Sequence, residues 1–206
     1  KSLAEPMGLQ MVAEERYARA DTSVAGQALK LVAAKPDAIL VGASGTGAAL
    51  PQIALRERGF TGLIYHTHGA VTKAFIGIAG KSAEGAILPS GPLVVAELLP
   101  NSPQQAAGLQ HLKAYEAKFG AGTITQFSGH AFDVGQILQR VVPVALKKAK
   151  PGTPEFRAAI LAAVESEKEI AASHGVYNFT PTDHAGLDNR GRVLLTVKDG
   201  TWAIVK

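Results

Sequence analysis

The chain has 206 residues, 47% of them hydrophobic and 18% charged, with 22 Gly and 11 Pro. That balance supplies a sizeable core and excludes collagen-like, low-complexity and disordered chains. Its 21 basic and 17 acidic side chains leave a formal charge of +4 with no basic run longer than Lys147-Lys148, too dilute for a nucleic-acid footprint. Zero cysteines exclude a disulfide framework, a cysteine-ligated zinc or iron–sulfur centre and a thiol nucleophile.

The length admits one large or two small domains. The most apolar stretch, Gly85 to Leu99, is broken by Pro89, Pro92 and Glu97, so no membrane span is expected, and no signal peptide within these residues. Lys1 to Leu9 reads as the tail of a helix leading into a strand over Gln10–Tyr17. Asp21-Thr22-Ser23 supplies capping chemistry for a helix through Ala34, which Lys35-Pro36-Asp37 ends. Ala38–Val41 is a continuous apolar strand of the kind buried on both faces in parallel sheets. A helix from Gly47 to Arg58, a strand at Leu63–Tyr65, a helix from Val71 to Ala79 and a strand at Gly85–Leu88 follow, and Pro89-Ser90-Gly91-Pro92 then breaks the alternation. The pattern predicts right-handed βαβ crossovers and a doubly wound parallel α/β sheet.

Beyond the break the periodicity predicts three helices, Pro103–Lys118, Phe127–Ala149 with a kink at Pro143, and Pro154–Glu167. The C-terminus returns to strands at Gly175–Phe179, Arg192–Val197 and Thr201–Val205, with Asp199-Gly200 as a type I′ hairpin turn.

In open parallel sheets ligands bind beyond the carboxyl ends of the strands, so three junctions matter: Gly42–Gly47, His66–Ala70 and Pro89–Gly91. The first is neither a P-loop nor a dinucleotide fingerprint, and Gly42-x-Ser44-x-Thr46 lacks the last glycine of the hydrolase elbow. A ligand-contacting loop and a plain tight turn both remain open there. His66 and His68, two apart with no carboxylate or cysteine beside them, form no metal site; no metal, cofactor or catalytic residue is expected. His66 reads as structural, and His68 as a binding donor or a loop histidine. His130 reads as a packing residue, His111 and His174 as surface residues, Asp183-His184 as a solvated turn, and Tyr177 and Trp202 as sheet-packing aromatics.

Ala33–Ala38, the junction before Gly47, Thr67-His68-Gly69, Ala83-Glu84-Gly85, Gly175–His184 and Gly186-Leu187-Asp188, taken in order, resemble type I periplasmic binding proteins. The likeness is to the branched-chain amino acid (leucine/isoleucine/valine-binding) type, the extracytoplasmic receptors of ABC importers. It implies two Rossmann-like lobes joined by three crossovers, with ligand clamped by hinge closure and delivered to a membrane permease. It implies that residues 1–89 belong to the C-terminal lobe, 92–188 to the N-terminal lobe, and 192–206 form a hairpin returning to the C-terminal lobe. Most of the N-terminal lobe and a signal peptide for the periplasm would lie upstream, leaving the middle helices with an uncovered face. The implied ligand contacts are Ser44, Gly45, Thr46, His68, Gly69, Ala70 and Ser90. Amino-acid-binding members place an aromatic side chain at the position of Ser44 or Gly45 and an acid at that of His68. A buried ammonium without its anion costs several kcal/mol, about 3 or more. The departure therefore points to a carboxylate without an α-amine, such as an aromatic acid. The alternatives are a branched-chain amino acid with its acid supplied elsewhere, and the sensory domain of a regulator.

Overall fold

The computed structural model describes residues 4–205, so the first three residues of the expected N-terminal helix tail lie outside the described residues. Glu5–Met7 form a single 3-10 turn closed by Gly8 at φ 74. No strand follows, although Ala13, Glu15 and Tyr17 alternate with exposed Glu14 and Arg16 as a strand would. Alternation states which face is inward, but a strand also needs a ladder partner, and this extended segment pairs with none of the named strands.

The first helix, α1 (Ala25–Ala33), starts later than expected because Asp21 is used elsewhere: its carboxylate accepts the Ala18 N–H at 2.8 Å, leaving Ser23 Oγ to accept from Ala25. Lys35 at φ 50 ends it. Then come β1 (Ala38–Val41), α2 (Ala49–Glu57), β2 (Leu63–His66), α3 (Lys73–Ala79) and β3 (Ile87–Ser90). The third strand includes Pro89 and Ser90, so the alternation breaks two residues later than the sequence suggests. Next are α4 (Pro103–Phe119), α5 (Gln126–Leu146) and α6 (Pro154–Ser166), each opened by a hydroxyl cap from Ser102, Thr125 or Thr153. The fifth helix continues through Pro143, whose missing N–H leaves the Gln139 carbonyl without its helical donor. The chain closes with β4 (Ile170–Ala171), β5 (Val176–Tyr177), β6 (Val193–Lys198) and β7 (Thr201–Ile204).

The main sheet has the order β1-β2-β3-β6-β7, parallel across β1, β2 and β3, with Val41 opposite His66 and Tyr65 opposite Ile87. Asp199 (φ 52) and Gly200 (φ 72) turn the last hairpin. Contacts divide the chain into two units, one running to Pro89 with Leu195–Ala203, the other Ser90–Leu194 with the residues from Ile204 on.

In the first unit Val24, Ala28, Ile39, Val41, Ala54, Leu55, Phe60 and Ile64 form a core. Both faces of β1 are not buried, contrary to the apolar run's reading: Ile39 and Val41 point inward while Leu40 is 71% exposed. A continuous apolar strand says both faces can be covered, not that the described elements cover them. Trp202 stacks on the buried Phe75, as expected of a sheet-packing aromatic.

In the second unit Val141, Ala163, Ile170, Ala172, Tyr177 and Phe179 form the core, where β4 and β5 pair antiparallel. Phe127, Val134 and Leu138 lie exposed along α5 and Leu161 on α6. Two expected surface histidines are interior: His111 is 8% and His174 2% exposed. The His111 ring stacks on Phe132 at 4.6 Å and its Nε2 meets Ser128 Oγ at 3.1 Å, contacts with residues seventeen and twenty-one positions away that its local sequence does not reveal. Burial pushes the His111 pKa down despite the attraction of Asp133.

Candidate functional site

Two of the three junctions come together in the first unit. After β1 the chain stays extended through Ser44 and turns through the 3-10 segment Gly45–Ala48 into α2; Gly45, at φ 58, takes a conformation that disfavours side chains. After β2, Thr67 is extended and His68–Ala70 form a second 3-10 turn, followed by Thr72, whose hydroxyl accepts the Phe75 N–H and opens α3. The Thr67 hydroxyl donates to the Ala43 carbonyl and ties the turns together. A Cβ on Gly69 would stand 2.8 Å from Ser44 Cβ, so the close approach requires glycine.

Of the predicted residues, Ser44, Thr46 and His68 are exposed on this rim, Gly45 and Gly69 are half-buried, and Ala70 is fully buried beneath it. Ser90 ends β3, is buried, counts by contacts with the second unit, and donates its hydroxyl to the Gly91 carbonyl at 2.9 Å.

Under the rim lies a neutral polar pair. Gln52 donates to the Ser82 carbonyl, so its Oε1 accepts from His66 Nε2 at 2.8 Å, which places the imidazole proton on Nε2. His66 is 1% exposed, its Nδ1 has no partner, and its ring meets Phe75 edge-on at 4.8 Å. Burial lowers its pKa to about 4, so the histidine is uncharged near neutrality. The rim therefore offers hydroxyls, an imidazole and backbone donors over an uncharged floor, and neither turn contains an Asp or Glu. That chemistry suits a ligand rich in acceptors and supplies no anion for an ammonium group.

A second polar cluster, in the second unit, escapes sequence reasoning. Asp133 on α5, 1% exposed, accepts four hydrogen bonds: from Ser173 N (2.7 Å), Ser173 Oγ (2.6 Å), His174 N (2.9 Å) and Tyr177 Oη (3.0 Å). Burial raises its pKa, but the bonds from His174 and Ser173 outweigh that and hold the carboxyl below the ordinary value. Burial, with Asp133 beside it, pushes the Tyr177 phenol up. The partners lie about forty residues away, and no local motif links them.

His130 is exposed and stacks on His174 with ring centroids 4.0 Å apart. Asp183 and His184 diverge, the former accepting from Ala185 and Gly186 N–H, the latter meeting Glu165 at 3.2 Å. Among the described residues no three His, Asp or Glu side chains converge as a metal site, and no helix is long and apolar enough to cross a membrane.

The sequence matches the family model described as "Periplasmic binding protein" over residues 1–201. A solved structure from Rhodopseudomonas palustris strain CGA009 is 63% identical, with a TM-score of 0.93 over 99% of this chain and 57% of that one. An extracellular ligand-binding receptor from Rhodopseudomonas palustris HaA2 is 62% identical, with a TM-score of 0.94 over 100% of this chain and 58% of that one. A branched chain amino acid ABC transporter from Thermus thermophilus with bound valine shares the fold at 15% identity, with a TM-score of 0.74 over 100% of this chain and 54% of that one. The chain thus spans less than three fifths of the length of these relatives. No curated protein matches it.

Proposed function

This chain belongs to the periplasmic binding protein family, and from that premise we propose that it is the C-terminal portion of a receptor that captures a small organic carboxylate, an aromatic acid ahead of an amino acid. Hinge closure of the complete protein holds the ligand, and the receptor presents it in the periplasm to an ABC permease. Residues 1–89 with the hairpin 192–206 belong to the C-terminal lobe, and 92–188 complete an N-terminal lobe whose remaining chain covers the exposed α5 stripe.

One observation carries the ligand class: His68 stands on the rim beside Ser44 and Thr46, in two turns that contain no carboxylate. An imidazole or hydroxyl donor complements a carboxylate or phenol oxygen, while a desolvated ammonium there lacks its anion at a cost of several kcal/mol, about 3 or more. Ser44, Gly45, Thr46, His68, Gly69 and Ser90 are the contacts assigned to this half of the site, with Ala70 as their buried support.

The test is a calorimetric panel on the complete receptor, setting leucine, isoleucine and valine against benzoate and 3-phenylpropenoate. Tight binding of an aromatic acid with no response to leucine is the expected result. Tight leucine binding with no response to the acids overturns it and assigns the ammonium to an acid elsewhere.

A further inference from the structure

The imidazole of His174 is locked far more firmly than its place in a short loop requires. Ser173 donates its hydroxyl proton to Asp133 at 2.6 Å, so toward His174 Nδ1, 3.2 Å away, the same oxygen can only accept. Nδ1 therefore carries the ring proton, aimed at Ser173 and at Asp133 Oδ2, 3.5 Å away. The other nitrogen, Nε2, is buried and has no hydrogen-bond partner. An apolar side chain of the same size would fill the space without leaving a buried lone pair, so volume alone does not account for a histidine here.

The ring's other contacts show what it does. A Cβ on Gly91 would stand 2.0 Å from His174 Cδ2 and 2.7 Å from Nε2, and a Cβ on Gly129 would stand 2.4 Å from Cε1. One edge of the imidazole therefore bears on the backbone of Gly91, the opposite side on the first turns of α5, and its face on His130. Gly91 follows Ser90, in the stretch where the chain leaves the first unit for the second. Because Asp133, Ser173, Gly129 and His130 hold the ring, it cannot swing aside when something presses from Gly91. The crossover has to yield instead.

We propose that His174 is a positioning residue for ligand binding, a fixed stop against which the Ser90–Pro92 crossover is set. The role rests on reading the complete protein as a ligand receptor. It also explains the unusual choice of side chain: the Nδ1 side is spent on orientation, leaving the Cδ2–Nε2 edge as the bearing surface.

The experiment is a double-mutant cycle in the complete receptor, with Gly91→Ala, His174→Ala and both together. Affinity is read calorimetrically for whichever of benzoate, 3-phenylpropenoate and leucine binds the wild type most tightly, and the apo melting temperature is recorded for each variant. Gly91→Ala is expected to weaken binding at least 30-fold, because its methyl pushes the crossover off the locked ring. His174→Ala weakens it about 3- to 10-fold by removing the stop. The double variant is no worse than His174→Ala, so the second substitution rescues the first. A merely structural role makes the losses multiply, with affinity following melting temperature. A double variant as weak as Gly91→Ala or weaker overturns the positioning role, as does Gly91→Ala binding at wild-type strength, while the receptor reading stands. Failure of all three probes to bind the wild type overturns the functional reading, and the positioning role with it.

Discussion

The two polar clusters solve the same burial problem in opposite ways. Beneath the first unit's rim, His66 and Gln52 are buried as neutral groups, and the histidine gives up its charge to stay there. In the second unit, Asp133 keeps its charge without a lysine or arginine among its hydrogen-bond partners, because four donors replace the water it lost. The first arrangement fails when a proton arrives. The second holds its charge well below neutral pH and fails when any donor is stranded.

The sharpest way to break this contrast is Asp133→Ala, which strands two backbone N–H groups and two hydroxyls at once. A loss of about 4 kcal/mol is expected in denaturant unfolding of the complete receptor. A loss under about 1 kcal/mol means the donors find other acceptors and the cluster is not the anchor described.

Acid comes next. His66 has a folded pKa of about 4 against an unfolded value near 6.5, so its neutral form favours folding, with full stability above pH 6.5. That stability drains away as pH falls from about 6.5 to 4, to a total of about 3 kcal/mol, and half-way down, near pH 5.3, about 2 kcal/mol is gone. The Asp133 carboxyl, held below its ordinary 3.8, loses its share only below that range. Unfolding followed from pH 7.5 to 4 should therefore show a slope that His66→Gln flattens; an unchanged slope in the variant excludes His66 as its source.

Gly69→Ala tests the junction itself. Its methyl would press on Ser44 Cβ at 2.8 Å, and about 2 kcal/mol of destabilisation is expected, with ligand affinity falling alongside. A variant at wild-type stability would show that the two turns can separate freely. The smallest effect on folding belongs to His68→Ala, within about 0.5 kcal/mol for an exposed side chain. It should nonetheless cost about 1 to 2 kcal/mol of ligand binding. Unchanged affinity removes His68 from the site.

How much of this the sequence discloses differs between the units. In the first, strand, small-residue turn and helix succeed one another within about twenty-five residues, and the proposed site consists of those turns, so the candidates Ser44–Thr46 and His68–Gly69 are local in sequence. The segment Gln10–Tyr17 is the exception, since its alternation is visible but its pairing is not. In the second unit the helices are legible from period and caps, yet β4 is two residues long and carries no periodicity. His111 and His174 have mixed polar and apolar neighbours in sequence and are buried only because α4, α5 and the loop after β4 converge.

From its sequence alone the chain determines that it is an α/β protein with strand–helix alternation through Leu88, three helices, a closing hairpin and rim residues that include no acid. These depend on local hydrophobic period, turn chemistry and residue identity. Only the tertiary structure decides that Asp133 gathers Ser173, His174 and Tyr177, that Thr67 ties two turns at Ala43, and that Gly91 rests on a locked imidazole. Those contacts join residues up to eighty-three apart, counting from Gly91 to His174. Which distant donor satisfies a buried polar atom depends on how the elements pack, and no sequence period records that.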